Sequence, residues 1–230
     1  MLKQNINTSS LYFEVNGLKF VLDPGPGTIV NAKKYNIDLT KINGLIVTHP
    51  HPDHYADANC LIDALRGKKS FLIAGKKCLE ESNNYYPCIN KFQQSIPEQT
   101  IAVEPGDKVK IGKVTFEAVK NNHLDCGLGI KINKIGYVGD GSLEGLEQYY
   151  QKMDLLIFNA YLPHNKKMPG IHTSVDEIIK FLKATKPKKA IIQHYSQEIL
   201  NAGIEEQAKL IQEQSGIKTI AAKDGLVEKL

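Results

Sequence analysis

Apolar residues in this chain fall into short runs of two periods, and the runs define most of its elements. Leu11-Tyr12-Phe13-Glu14-Val15 and Leu18-Lys19-Phe20-Val21-Leu22 read as strands joined by Asn16-Gly17, the dipeptide favoured in two-residue hairpin turns. Asp23-Pro24-Gly25-Pro26-Gly27 can neither continue a central strand nor enter a helix interior, so the backbone leaves the sheet there and Asp23 marks a strand end. Residues 31–43 form a polar connection, and Gly44-Leu45-Ile46-Val47 is a buried strand. Ala58, Leu61, Ile62 and Leu65 have the i, i+3, i+4, i+7 spacing that predicts a helix over Ala56 to Leu65. Ser70 to Ala74 returns as a strand, a short helix follows around Lys76 to Glu81, and Asn83-Asn84-Tyr85-Tyr86-Pro87 reads as loop.

From Gln99 the period becomes two. Thr100 to Val103, Lys108 to Ile111 and Val114 to Val119, with turn residues between them, predict a meander, and Gly129 to Ile132 and Lys134 to Val138 add two more strands. Leu143 to Tyr150 is expected to be helical with Ser142 as its N-cap. The last third alternates: strand Asp154 to Phe158, helix Ser174 to Ala184, strand Lys189 to Gln193, helix Ile204 to Gln214, and closing strands at Lys218 to Ala222 and Leu226 to Val227. The pattern predicts an α/β protein with two sheets face to face and helices on both outer faces.

Composition narrows the classes. At 230 residues and 42% hydrophobic content the chain can bury a full core, and it is expected to form a single domain, residues 1–230. The formal charge of +4 is too mild to indicate non-specific nucleic-acid binding and suits an anionic small substrate equally well. Cys60, Cys78, Cys88 and Cys126 lack CxxC spacing and read as buried or free thiols. Met1 to Ser10 is polar without an apolar signal core, and no run is long enough to span a bilayer, so a cytoplasmic protein is expected.

Chemistry concentrates in Thr48-His49-Pro50-His51-Pro52-Asp53-His54, directly after the Gly44 to Val47 strand. Neutral imidazole nitrogen and carboxylate oxygen are the ligands that Zn²⁺ and similar ions take. In an extended segment residues two apart face the same way, so His49 and His51 can share one ion, and Pro50 and Pro52 are expected to keep the stretch from becoming helical. Three of the other histidines, His123, His172 and His194, and the Gly-flanked Asp140 each fall at or near the end of a strand or the start of a helix. His164, in Pro163-His164-Asn165-Lys166-Lys167, is expected in a solvated loop, with the two lysines as a phosphate attractor, and Asp57 on a helix surface.

His-x-His-x-Asp-His, then one His after a meander, Gly-Asp after a strand and a late His after another strand resembles, in this order, the metallo-β-lactamase fold superfamily over residues 11–222. The resemblance implies an αββα sandwich of two mixed β-sheets with the metals at one edge. It assigns His49, His51 and His123 to one metal, Asp53, His54 and His194 to a second, and Asp140 as a bridge. Two divalent ions are implied, zinc first, with manganese or iron as alternatives. Asp23 has no ligand slot in the pattern; a hydrogen bond to a ligand histidine or a plain turn carboxylate are its two readings.

Such a metal pair lowers the pKa of bound water to near neutrality, so the family resemblance implies a hydrolase. His172-Thr173-Ser174 before a helix and Gln193-His194-Tyr195-Ser196 after a strand look like the phosphodiesterase branch, which includes ribonuclease Z and cyclic phosphodiesterases. There the extra histidine, here His172, serves the phosphoryl group or the departing alkoxide; Asp53 is the other candidate catalytic residue. Residues 124–139 leave no room for the long arm with which those ribonucleases grip tRNA, so a small or short nucleotide phosphodiester is the expected substrate, with long tRNA and membrane partners not expected and a homodimer possible. A thiolester hydrolase of the glyoxalase II kind, a non-haem iron sulfur dioxygenase and a non-catalytic binding module are the rival readings.

Overall fold

The computed structural model describes residues 8–168 and 171–230. Part of the N-terminal stretch read for a signal core, residues 1–7, lies outside the described residues. Among the described residues no helix is long and apolar enough to cross a membrane. The described residues divide into two compact units, one of residues 8–104 with Ile111–Val114, the other of Pro105–Lys110 and the residues from Thr115 to Leu230.

The N-terminal unit carries a five-stranded mixed sheet of β1 (Leu11–Val15), β2 (Leu18–Leu22), β3 (Gly44–Val47), β4 (Phe71–Gly75) and β5 (Gln99–Val103), in that spatial order. β1 and β2 are antiparallel, with Val15 opposite Leu18 across the predicted turn, and Asn16 and Gly17 both have positive φ, as a type I′ turn demands. β2, β3, β4 and β5 run parallel. Parallel neighbours need crossovers, and the short helices Ala58–Leu61, Lys76–Leu79 and Lys91–Gln94 lie in them. Leu45, Val47, Leu72 and Ala74 pack with Ala58, Leu61, Ile62 and Leu65 in one buried cluster, which is the helix face the spacing predicted, although its second half, Ile62–Leu65, winds as a 3₁₀-helix.

Three expectations fail here for physical reasons. β5 joins this sheet in parallel with β4 instead of opening the meander, because the Lys91–Gln94 helix reverses the chain before it. Thr28–Lys34 is helical where the sequence suggested only a connection; its buried pair, Thr28 and Ala32, is too small to make an apolar stripe. Asp57 is no idle surface group, since its carboxylate accepts the Ile29 N–H at 3.0 Å in the first turn of that helix.

The C-terminal unit carries β6 (Lys108–Ile111), β7 (Val114–Lys120), β8 (Leu128–Ile132), β9 (Ile135–Gly139), β10 (Leu155–Asn159), β11 (Lys189–Gln193) and β12 (Thr219–Ala221), in the spatial order β12-β11-β10-β9-β8-β7-β6. β7, β8 and β9 are antiparallel neighbours, and β9 to β12 are parallel. Helix Val175–Thr185 starts at Ser174 with a capping box, the Ser174 hydroxyl accepting the Glu177 N–H and Glu177 reaching back to the Ser174 N–H. Its face of Val175, Ile178, Ile179 and Leu182 packs with Leu156, Phe158, Ala190 and Ile192 and with Ala208 and Ile211 of helix Ile204–Ser215. Phe181 stands edge-on to Phe158 at 5.6 Å and to Tyr150 at 5.8 Å, and burying a side chain of that size contributes about 1.5–3 kcal/mol.

The predicted helix over Leu143 to Tyr150 shrinks to a 3₁₀ turn, Glu147–Tyr150. Gly145 sits at φ 75°, and Ser142 is not its cap: the Ser142 hydroxyl and the Leu143 N–H both donate to Glu177. Leu226 and Val227 form no strand, because Gly225 turns the chain and the Leu226 N–H bonds back to Lys223.

Candidate metal centre

The parallel strands explain why the chemistry gathers where it does. In each unit the carboxyl ends of adjacent parallel strands lie side by side, the usual place for sites in α/β sheets. Asp23 follows β2 and Thr48 to His54 follow β3; Asp140 follows β9, Asn159 ends β10 and His194 follows β11. Asp23 and His194 both have left-handed φ, 49° and 53°, so the chain turns sharply at each strand end.

In the N-terminal unit His49 is buried in a bend, and His51, with an extended backbone, is the half-exposed N-cap of the turn of helix Pro52–Tyr55. Pro52 therefore acts opposite to expectation. It occupies the first helical position, where its missing N–H costs nothing, and starts the turn that carries Asp53 and His54. His49 Nε2 and His51 Nδ1 are 3.1 Å apart, and the His49 and His54 rings are 4.1 Å apart.

Asp23, fully buried, organises this set. Its carboxylate accepts the Thr48 N–H at 2.7 Å, the Thr48 hydroxyl at 2.8 Å and His54 Nδ1 at 3.0 Å. Because the Thr48 hydroxyl gives its proton to Asp23, its oxygen is left to accept from His49 Nδ1, 3.0 Å away. The bond order thus assigns protons to Nδ1 of both His49 and His54 and lone pairs to both Nε2 atoms, the form in which imidazole binds a metal. Of the two readings of Asp23, the hydrogen bond to a ligand histidine is the one found. Replacing Asp23 with Asn should weaken metal binding about 10- to 100-fold, read by competition with a chromophoric chelator; unchanged affinity would remove Asp23 from this role.

In the C-terminal unit Asp140 is aimed by backbone irregularity. The pairing of β9 with β10 slips between Ile157 and Phe158, a bulge placed just before the Asp140 turn. Gly139 and Gly141 flank it at φ 74° and 130°, and a Cβ on Gly141 would stand 2.7 Å from the Asn122 backbone, so both positions require glycine. Asp140 Oδ1 accepts the Asn159 amide at 2.7 Å, and the Asn159 oxygen accepts the Gln193 amide at 2.7 Å. With one oxygen so held, Oδ2 lies 3.6 Å from His194 Nε2 and 4.0 Å from His123 Nε2. His123 Nδ1 faces the Ile171 carbonyl at 2.6 Å, which again puts the proton on Nδ1 and the lone pair on Nε2.

The residues present fit divalent metal ions. Two nitrogens bound to one zinc at tetrahedral angles are about 3.3 Å apart, and two ligand atoms on any one ion of this kind cannot exceed about 4.2 Å. His49 with His51 at 3.1 Å, His54 Nε2 with Asp53 Oδ2 at 3.9 Å and the two Asp140 contacts all satisfy that limit.

His172 lies in the C-terminal unit with a ligand atom within 4.8 Å of those of His123 and Asp140, and its ring stacks on Tyr161. His164 does not sit in a solvated loop: it is half-buried, with Nδ1 2.7 Å from Asp176 and its N–H on Gln207. Lys166 and Lys167 are exposed. Asn159, Gln193 and Tyr161 were missed from the sequence. Asn159 and Gln193 carried a signal, as polar residues ending apolar strand runs that are buried on both faces.

Similarity to known proteins agrees with this picture. A family model described as a beta-lactamase superfamily domain matches residues 19–195. An uncharacterized protein of Methanocaldococcus jannaschii is 28% identical over 98% of this chain and 88% of its own length. A hydroxyacylglutathione hydrolase of Neisseria meningitidis is 26% identical over 64% of this chain and 55% of its own length, so the match takes in about half of that enzyme. Among solved structures, the metallo-beta-lactamase fold protein YhfI of Bacillus subtilis superposes with a TM-score of 0.81 at 19% identity, covering 98% of this chain and 93% of that one. A diphosphatase of the PhnP family superposes with a TM-score of 0.75 at 20% identity, covering 97% and 85%. With two mixed sheets and helices in their crossovers, this chain belongs to the beta-lactamase superfamily and has the metallo-β-lactamase fold.

Proposed function

We propose that the protein is a dinuclear metal-dependent hydrolase of small or nucleotide-type phosphodiesters, with His49, His51, Asp53, His54, His123, Asp140 and His194 as the ligand set. Two divalent ions, zinc first, would supply an acidified water and positive charge for the phosphoryl oxygens. The chain's residues do the rest. Asp23 and the Asn159–Gln193 pair hold ligands in orientation, Asp53 is the carboxylate placed to receive a proton from water, and His172 donates to the leaving oxygen. As water oxygen joins phosphorus, the P–O bond to the alcohol breaks, and the proton from His172 lets it depart as alcohol.

The observation that carries this reading is the additional histidine, His172, beside His123 and Asp140. A thiolate leaves readily, its acid having a pKa of about 8.5, whereas an alkoxide needs a proton. An extra acid therefore favours an alcohol leaving group. The PhnP-family diphosphatase among similar folds supports phosphoryl chemistry. The hydroxyacylglutathione hydrolase supports the second reading, a thiolester hydrolase, on a shorter match.

The test is metal analysis of the purified protein with assays on bis-p-nitrophenyl phosphate, S-lactoylglutathione and glutathione persulfide. Diesterase turnover is expected, lost on chelation and restored by Zn²⁺ or Mn²⁺. Protein carrying two metals per chain and hydrolysing only the thiolester would replace the first reading with the second.

A further inference from the structure

Tyr161 lies two residues beyond the end of β10, in no motif that named a function, yet its ring is closer to the His172 imidazole than the His123 ring is. The centroids are 3.8 Å apart and the planes differ by 12°, which is face-to-face contact. An imidazole swings about its Cβ–Cγ bond with little preference of its own, so something must fix its plane if one nitrogen is to meet a reacting atom. A flat ring in contact over the whole face does this, because rotation out of the plane drives the imidazole edge into the phenol.

The backbone under both rings is itself tied. The Tyr161 and Leu162 N–H groups both donate to the Thr173 carbonyl, at 3.1 and 3.0 Å, and Val175 N–H returns to Leu162. The Thr173 hydroxyl donates to the Gly141 carbonyl, beside Asp140. The Ser196 hydroxyl donates to the Tyr161 carbonyl and also accepts the Ile199 N–H at the start of helix Gln197–Asn201. Tyr161 is thus fastened to the segments that carry His172, Asp140 and His194.

We infer that Tyr161 is a positioning residue that fixes the plane of His172 for proton donation to the leaving oxygen. The role rests on the diesterase reading, and it sets which substrates the site turns over: diesters of unactivated alcohols, which need the proton, depend on Tyr161, while p-nitrophenyl diesters do not.

The experiment compares Tyr161→Leu and Tyr161→Phe in the metal-loaded protein, on bis-p-nitrophenyl phosphate and on a dinucleotide or alkyl nucleotide diester. Tyr161→Phe should stay within about threefold of the wild type on both. Tyr161→Leu should keep the aryl rate but lose about 10- to 100-fold in kcat on the alkyl diester, at unchanged KM and metal content. In proton NMR the His172 ring resonances should move downfield in Tyr161→Leu, which lacks the ring current, and not in Tyr161→Phe. Should Tyr161→Leu fail to fold, Tyr161→Met supplies the same comparison. An unchanged alkyl-to-aryl ratio in an otherwise active protein overturns the role of Tyr161 alone. Wild-type protein inactive on both diesters overturns the diesterase reading and this role with it.

Discussion

Asp140→Ala should leave the protein with at most one metal per chain and a diesterase rate lowered on the order of 10³-fold or more, the loss expected when a preorganised charge at the reacting centre is removed. Asp140 Oδ2 lies 3.6 Å from one imidazole nitrogen and 4.0 Å from another, while Oδ1 is occupied by the Asn159 amide. Oδ2 therefore faces two imidazole nitrogens, as a bridging ligand would. Asp140→Asn separates charge from shape. It can keep an oxygen toward Asn159 but puts a neutral amide between His123 and His194, so metal stoichiometry should fall as it does in the alanine variant. Metal content by emission spectrometry and kcat on bis-p-nitrophenyl phosphate read both; two metals retained at full turnover would end the bridging role.

His172→Ala has the second largest expected effect and a different signature. Both metals should remain, and kcat on an alkyl diester should fall about 10²- to 10⁴-fold, the usual range for loss of a general acid. The aryl diester should fall much less. Because His172 has a ligand atom within 4.8 Å of those of His123 and Asp140, metal content is the deciding measurement. Loss of metal in this variant would make His172 a ligand and remove the acid from the mechanism.

The candidate ligands were legible because each follows a strand, and strand ends are marked in sequence by an apolar run giving way to Gly or a polar residue. Val47 before Thr48-His49, Val138 before Gly139-Asp140 and Ile192 before Gln193-His194 show the same transition. The hairpin at Asn16-Gly17 and the Ser174-capped helix were legible for the same reason, since local bonds alone specify them. Leu143 to Tyr150 was misread because Glu177, distant in sequence, takes the Ser142 hydroxyl that would have capped a helix there. β5 was misplaced because alternation says that a strand exists and not which sheet receives it.

The chain's own order of residues determined which side chains could bind metal, most of the strands and helices, and the superfamily they belong to. Tertiary structure alone decided their proton states and aims. Asp23 meets Thr48 and His54 across 25 and 31 residues of chain, Asn159 meets Asp140 and Gln193, and Tyr161 meets His172. Ligand type is a property of a residue and is written in sequence. Which nitrogen carries the proton, and in which plane the ring lies, depends on a neighbour brought by packing, and no local pattern encodes it.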